Sequence, residues 1–278
     1  MIISRMSPIT PLPLFTLLHP RAQTRRLIVL LAVGLLLGSL AVAFLQVPLW
    51  GATILVLALV LPPAVRKWQD DARRFGVPLM ILSVLVALQG FHGLEHLAQW
   101  IEFHLLGWPP KESSGLLSAA NVEWVHFIWN WSVVSVVTIV LWLRVRNVWG
   151  WLLLAWALAH SLEHTYLFVR YLQYVDLLRA SGSSTSFAQG MPGILGREGW
   201  LATHQTAIPA VGFICTLAPH LITYPRLDIH FGWNVGETIL LFAFAHTAMR
   251  RYLLGNTPLH APWGPVPAPL QARRQRRR

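Results

Sequence analysis

Charged residues and cysteines are both scarce in this chain of 278 residues. Only 12% of the residues are charged, which is about half the share found in soluble proteins. Hydrophobic residues make up 55% and the mean hydropathy is +0.52, so a soluble globular fold is excluded. The single cysteine, Cys215, excludes a disulfide framework and a CxxC metal site. The 19 glycines and 19 prolines follow no period, which excludes a collagen-like chain.

Long apolar runs predict an all-α, polytopic membrane protein. A helix needs about 20 mostly apolar residues to cross the hydrocarbon of a bilayer. The candidate segments, one of them short and one interrupted by prolines, are 27–47, 52–65, 77–100, 122–143, 148–168, 200–222 and 233–249. We therefore expect a helical bundle of about seven transmembrane helices, or six if the short second segment or the proline-broken sixth is re-entrant.

These segments divide the chain into three regions. Residues 1–26 are predicted to be a cytoplasmic N-terminal segment and residues 27–254 a transmembrane domain. Residues 255–278 form a Pro-rich and Arg-rich tail, a composition typical of disorder. The first apolar run leads into the second without a small-residue cleavage site, so it is interpreted as a retained anchor.

Basic residues in the short loops predict the orientation in the membrane. Eleven of them lie in the N-terminal segment, in the polar stretch 66–74, in the turn 144–146 and at Arg226, and four lie on the opposite side, at Lys111, Arg170, Arg179 and Arg197. This bias predicts a multi-pass protein of the inner (plasma) membrane with a cytoplasmic N-terminus. Seven crossings would nevertheless place the seven arginines after residue 249 outside, against the same rule.

Two copies of one polar motif lie within the apolar segments. Residues 92–96 read His-Gly-Leu-Glu-His and residues 160–164 read His-Ser-Leu-Glu-His, both of the form HxLEH. Spacings of three and four residues place the polar side chains on one side of a helix. A second echo, HFxWN, occurs at residues 126–130 and 230–234. The two echoes indicate an internal duplication, and ionisable residues in hydrocarbon are functional candidates by default.

Imidazole and carboxylate side chains together form the donor set of iron, zinc, copper or manganese sites. Glu123 and His126 have the three-residue spacing that di-iron helical bundles use. With a helical rise of 1.5 Å per residue, the candidate ligands are predicted to lie in the outer half of the membrane. We predict a dinuclear transition-metal site, with iron as the first choice, whose ligands are His92, Glu95, His96, Glu123, His126, His160, Glu163 and His164, with His204 and His246 as second-tier ligands.

Other interpretations of these residues stay open. His104, His220 and His230 are interpreted as hydrogen-bonding residues between helices, and His220 and His230 are predicted to lie at the end opposite to the metal site. The two motifs also suit a polar network of His–Glu pairs, a proton path, or ligation of haem or bacteriochlorophyll. The string HxxEH matches the inverted zinc-protease motif, but that function needs a soluble catalytic domain.

The scheme of histidines on neighbouring membrane helices resembles that of membrane fatty-acid desaturases and alkane hydroxylases, which hold two irons in HxxxH and HxxHH boxes. No HxxHH occurs here. We expect redox chemistry on a lipid-soluble substrate or a quinone-like electron-transfer partner, as an oxidoreductase. The alternatives are a non-catalytic haem- or chlorin-binding subunit of a respiratory or photosynthetic complex, and a metal or proton transporter. Lipid, and a larger membrane complex, are expected partners, whereas nucleic acid is not.

Four tryptophans lie near the predicted site in the sequence, namely Trp124, Trp129, Trp131 and Trp156. A lining of a substrate or pigment cavity would suit them. Helix packing is the favoured interpretation.

Overall fold

The computed structural model describes residues 12–110, 112–118, 122–182 and 191–255. Within these ranges the chain is helical and has no strand. The α-helices are α1 Pro13–Leu18, α2 Thr24–Leu45, α3 Leu49–Phe75, α4 Val77–His104, α5 Glu123–Trp142, α6 Val148–Ala180, α7 Trp200–His204, α8 Pro209–Leu217, α9 His220–Thr223 and α10 Arg226–Leu253. Lys111 and the tail after Gly255 lie outside the described residues.

Five helices in the described part of the chain, α2 to α6, are long and apolar enough to cross a membrane. The all-helical class is confirmed for the described residues, and these five helices are candidate membrane-spanning segments by length and composition. Helix α10 has 28 residues, the same length as α4, but it is not one of the five. It packs against α1, α4 and α6, and its Asn234 and Glu237 are each only 1% exposed. The polar side of α10 therefore faces the interior of the bundle.

The predicted sixth span, 200–222, is not a single helix. Proline lacks an N–H group and disfavours helical conformation in the residue before it, and Pro209 and Pro219 both interrupt this segment. The segment divides into the short helices α7, α8 and α9. The predicted count of about seven transmembrane helices, or six if this segment is re-entrant, is therefore not confirmed. The predicted second span and the polar stretch after it form one continuous helix, α3, which contains Pro62 and Pro63.

Contacts near the start of α10 place it beside the end of α4 and the start of α5. Arg226 Nη2 donates to Glu123 Oε1 over 2.5 Å. His104 Nε2 lies 2.6 Å from Asp228 Oδ1. We call this end of the bundle, which also carries the segments 105–118 and 191–225, the loop end.

Contacts near the end of α10 place it beside the end of α3 and the turn between α5 and α6. Tyr252 donates to the carbonyl oxygen of Arg74 over 2.7 Å, and Arg251 donates to that of Arg146 over 2.6 Å. We call this the basic end of the bundle. Helix α10 is therefore antiparallel to α4 and α6.

A buried charged group ties the N-terminal helix α1 to the basic end. Asp71 is fully buried and lies 2.5 Å from both Arg21 Nη1 and Lys67 Nζ. Lys67 also donates to the carbonyl oxygen of Leu17 over 2.7 Å, and Leu17 is completely buried in the apolar core. Part of the predicted N-terminal segment thus belongs to the folded bundle.

We expect Asp71→Ala to destabilise the protein by about 3–5 kcal/mol, because it leaves the buried Lys67 ammonium without its counter-ion. Unfolding of the detergent-solubilised protein measures this loss. Asp70→Ala is the control, since Asp70 is 3.9 Å from the exposed Arg73 and such pairs contribute less than about 1 kcal/mol. Equal losses in the two variants would contradict a stabilising role for the buried group.

Candidate metal centre

Six histidines from four helices converge in the half of the bundle nearer the loop end. Helices α4 and α6 contribute two each, and α5 and α10 contribute one each; they are His92, His96, His126, His160, His164 and His230. The centroids of neighbouring rings are 4.2 to 6.0 Å apart. We call this group the histidine cluster. Five of its members are ligands predicted from the sequence, and His230 is not.

The cluster contains two groups of three ligand atoms that lie within 4.8 Å of one another. The first triad is His96, His126 and His230, and the second triad is His160, His164 and His230. His230 belongs to both triads and links them. Three histidine nitrogen atoms are the protein ligands of one class of catalytic zinc site.

Hydrogen bonds on the far side of the rings orient the first triad. His96 Nδ1 is 2.9 Å from Gln99 Oε1, and His126 Nδ1 is 3.1 Å from the carbonyl oxygen of Val122. Both partners accept, so each Nδ1 carries the proton and each Nε2 keeps its lone pair. Metal-binding histidines are oriented in this way by acceptors outside the ligand shell.

In the second triad His160 has the same kind of support, and two buried nitrogen atoms, His160 Nε2 and His164 Nδ1, have no hydrogen-bond partner among the described residues. His160 Nδ1 is 2.8 Å from Glu237 Oε2. His164 Nδ1 lies 3.9 Å from Glu123 Oε2. A buried polar atom without a partner destabilises a protein unless something satisfies it. A cation held by the triad would satisfy His160 Nε2.

Two pairs of histidines meet through their Nε2 atoms. The distance is 3.2 Å between His92 and His96 and again 3.2 Å between His164 and His230. Two nitrogen ligands of a tetrahedral ion at about 2.0–2.1 Å would be roughly 3.3 Å apart. The spacing therefore fits an ion bound between two rings, and it also fits a direct hydrogen bond.

The Glu95 side chain contacts the loop that follows its own helix. Its carboxylate accepts hydrogen bonds from the backbone N–H groups of Leu116 (2.9 Å) and Leu117 (3.0 Å) in the loop after α4. One residue corresponds to about 100° around a helix, so Glu95 points away from the direction of His96. A Cβ atom at Gly115 would overlap this carboxylate, which explains the glycine at that position.

Glu163 makes the same contacts in the second motif. Its Oε1 atom accepts from the backbone N–H groups of Ile194 (2.9 Å) and Leu195 (3.4 Å), and a Cβ atom at Gly193 would overlap it. In both motifs the histidines face the cluster and the glutamate binds the loop. The predicted carboxylate ligands thus connect each motif to the loop end.

Three other predicted ligands lie outside the cluster. Glu123 pairs with Arg226 and lies near the outward side of His164. His204 lies in α7, where its ring stacks on Trp200. His246 follows His230 by 16 residues, which is about 24 Å along α10 toward the basic end.

One error in the sequence-based topology explains the misplacement of His230 and His246. Counting 200–222 as a crossing reverses the direction of α10, which moves His230 to the wrong end and His246 to the predicted site. The HFxWN echo contained the correct signal, because it makes His230 the counterpart of His126. No sequence pattern singled out Gln99 as a supporting residue.

Comparisons with protein-family models, with curated proteins and with solved structures give no significant match to this chain.

We expect Glu95→Gln and Glu163→Gln each to lower stability by about 1–3 kcal/mol, because a neutral amide oxygen accepts more weakly from the two backbone N–H groups than a carboxylate does. Bound metal should stay unchanged, as measured by elemental analysis beside an unfolding curve. Glu112→Gln, at an exposed position in the same loop, is the control. Loss of metal without loss of stability would instead make the glutamates ligands.

Proposed function

We propose that this chain is an integral membrane metalloprotein whose histidine cluster binds transition-metal ions as a dinuclear centre. The observation that supports this proposal most directly is the pair of triads that share His230. Redox chemistry on a lipid-soluble substrate, or with a quinone-like partner, is the proposed activity. Bound iron or copper would supply the electron-transfer chemistry.

The donor set is richer in nitrogen than the sequence suggested, because the carboxylates of Glu95 and Glu163 are occupied by the loops. Imidazole ligands suit iron, copper, zinc and nickel, whereas carboxylate-rich sites suit manganese and magnesium. An ion held by three histidines keeps a coordination position open for a substrate or for O₂. His230 would serve both triads at once by binding one ion through each of its two ring nitrogen atoms. An open position is what distinguishes a catalytic site from a structural one.

The compactness of the cluster favours bare ions over haem or a chlorin. The ligand atoms of each triad lie within 4.8 Å of one another, which leaves no space between them for a flat macrocycle. The cluster also lies at one depth of the bundle, whereas a transport path would distribute its ligands along the helices. Both observations support a fixed metal centre.

We also propose that the two halves of the site arose by duplication of a unit that contains HxLEH, a loop glycine and HFxWN. Each glutamate binds two successive backbone N–H groups just after a glycine. In each HFxWN copy, the asparagine side chain donates to the carbonyl oxygen of the histidine four residues earlier, over 2.9 Å. These equivalent contacts support the proposal.

For the orientation we propose six crossings, made by α2 to α6 and α10, with the basic end and the N-terminus in the cytoplasm of a plasma-membrane protein. Without a crossing at 200–222, the end of α10 lies beside Arg74 and Arg146. Arg250 and Arg251 then lie on the same side as most other basic residues, in agreement with the positive-inside rule.

We expect His230→Ala to weaken metal binding at least tenfold, or about 1.4 kcal/mol, because it removes a ligand from both triads. His96→Ala and His164→Ala should also weaken binding, and their combination should cost less than the sum because ligands of one centre act together. Metal titration of the purified protein measures these effects. His246→Ala is the control, and wild-type protein that binds no metal would favour a polar packing network.

The proposed topology predicts which positions face the cytoplasm. With single cysteines in a Cys215→Ser background, positions 73 and 250 should resist a membrane-impermeant thiol reagent in intact cells, and position 197 should react. All three are exposed, so all three should react after permeabilisation. Reaction of position 250 but not of 73 would require an odd number of crossings between them.

A further inference from the structure

An apolar cavity of about 260 Å³ lies beside the first triad, between α3, α4 and α5. Leu57, Leu88, Phe91 and Trp129 line it, and His92 and His126 form its polar inner wall. His126 is a member of the first triad, and the His92 ring is 4.5 Å from that of His96. The cavity therefore ends where an ion of the first triad would be bound.

The other polar groups that border the cavity are already occupied. The Glu95 carboxylate accepts from the loop, and Gln99 Oε1 faces His96. Apart from these two residues, the imidazole rings of His92 and His126 supply the polar atoms that line the cavity. A molecule that fits this lining has an apolar body and brings its reacting group to His92 and His126.

The cavity is reachable from the lipid side of the bundle. Leu88, which forms part of its wall, is 44% exposed, and Leu57 belongs to α3, which lies outside the four helices of the cluster. Helices α4 and α5 contact each other over a short stretch only. A neutral molecule dissolved in the membrane can thus approach the first triad sideways.

In the second half of the site, tryptophan side chains occupy the position that is equivalent to the cavity. The motif alignment pairs Leu88 with Trp156, His92 with His160 and Trp129 with Trp233. The Trp156 ring packs edge-on against Trp233 at 4.9 Å and donates to its carbonyl oxygen over 2.9 Å. A Cβ atom at Gly236 would overlap the Trp156 ring, so the glycine makes room for the indole.

We infer that the cavity is the binding site of the lipid-soluble substrate, that this substrate is a neutral apolar molecule with about ten non-hydrogen atoms in the cavity, and that it contacts the first triad only. The size follows from comparison with an apolar cavity of about 150 Å³ that holds benzene. The inference rests on the proposed function. The second triad, enclosed by Trp156 and Trp233, binds an ion that the substrate does not reach.

Photolabelling of the full-length, detergent-solubilised protein tests this inference. The probe is 3-trifluoromethyl-3-phenyldiazirine, with excess naphthalene as competitor and peptide mass spectrometry to locate the label. We expect saturable labelling of Phe91 and Trp129 that naphthalene lowers at least fivefold. Leu88→Trp, which copies the second half, and Leu57→Trp, from the opposite wall, should each abolish it. Leu94→Trp, on the exposed side of the same helix, should not.

Cobalt(II) loading separates this inference from the proposed function. Naphthalene should shift the visible absorption bands of the cobalt-loaded wild-type protein and leave those of the Leu88→Trp variant unchanged. Non-saturable labelling, or saturable labelling that survives both tryptophan variants, would overturn the inference. Failure of the proposed function would show differently, as saturable labelling in a protein that binds no cobalt, iron or copper.

Discussion

The histidine cluster imposes one constraint on the bundle, which is that six imidazoles in a small interior space need partners for their nitrogen atoms. An unpartnered buried polar group costs about 1–3 kcal/mol. The fold supplies acceptors on the outward side, such as Gln99, Glu237 and the carbonyl oxygen of Val122. The inward nitrogen atoms are left facing one another, and His160 Nε2 has no partner among the described residues. The buried Glu237 of α10 supplies the acceptor for the Nδ1–H group of His160.

The two HxLEH motifs assign separate tasks to neighbouring residues. Their histidines face the cluster, whereas Glu95 and Glu163 bind successive backbone N–H groups at the loop end. Each motif therefore holds the loop that follows its own helix and leads toward the next helix of the cluster. Glu95 thus holds the loop that lies between α4 and the helix of His126, although Glu95 lies outside the triads.

The sequence alone predicted the helical class, most helix positions and five of the six cluster histidines, because apolar length and helical spacing are local properties. His230 was assigned to the wrong end, since its depth depends on how many times the chain crosses before it. Hydropathy could not show that Pro209 and Pro219 divide 200–222 into short helices. The directions in which the side chains of Glu95 and Glu163 point depend on contacts with the loops, and the spacing of residues along a helix does not reveal such contacts.

The composition of α10 affects how the protein inserts into the membrane. It falls outside the set of helices apolar enough to cross a membrane by composition, and its polar residues, Asn234 and Glu237 among them, are buried against other helices. Hydrocarbon would not accept these groups without partners. In the proposed topology α10 follows α4 and α6 along the chain, and its integration requires both of them to be in place. Integration of α10 therefore also completes the site, because α10 brings the histidine that both triads share.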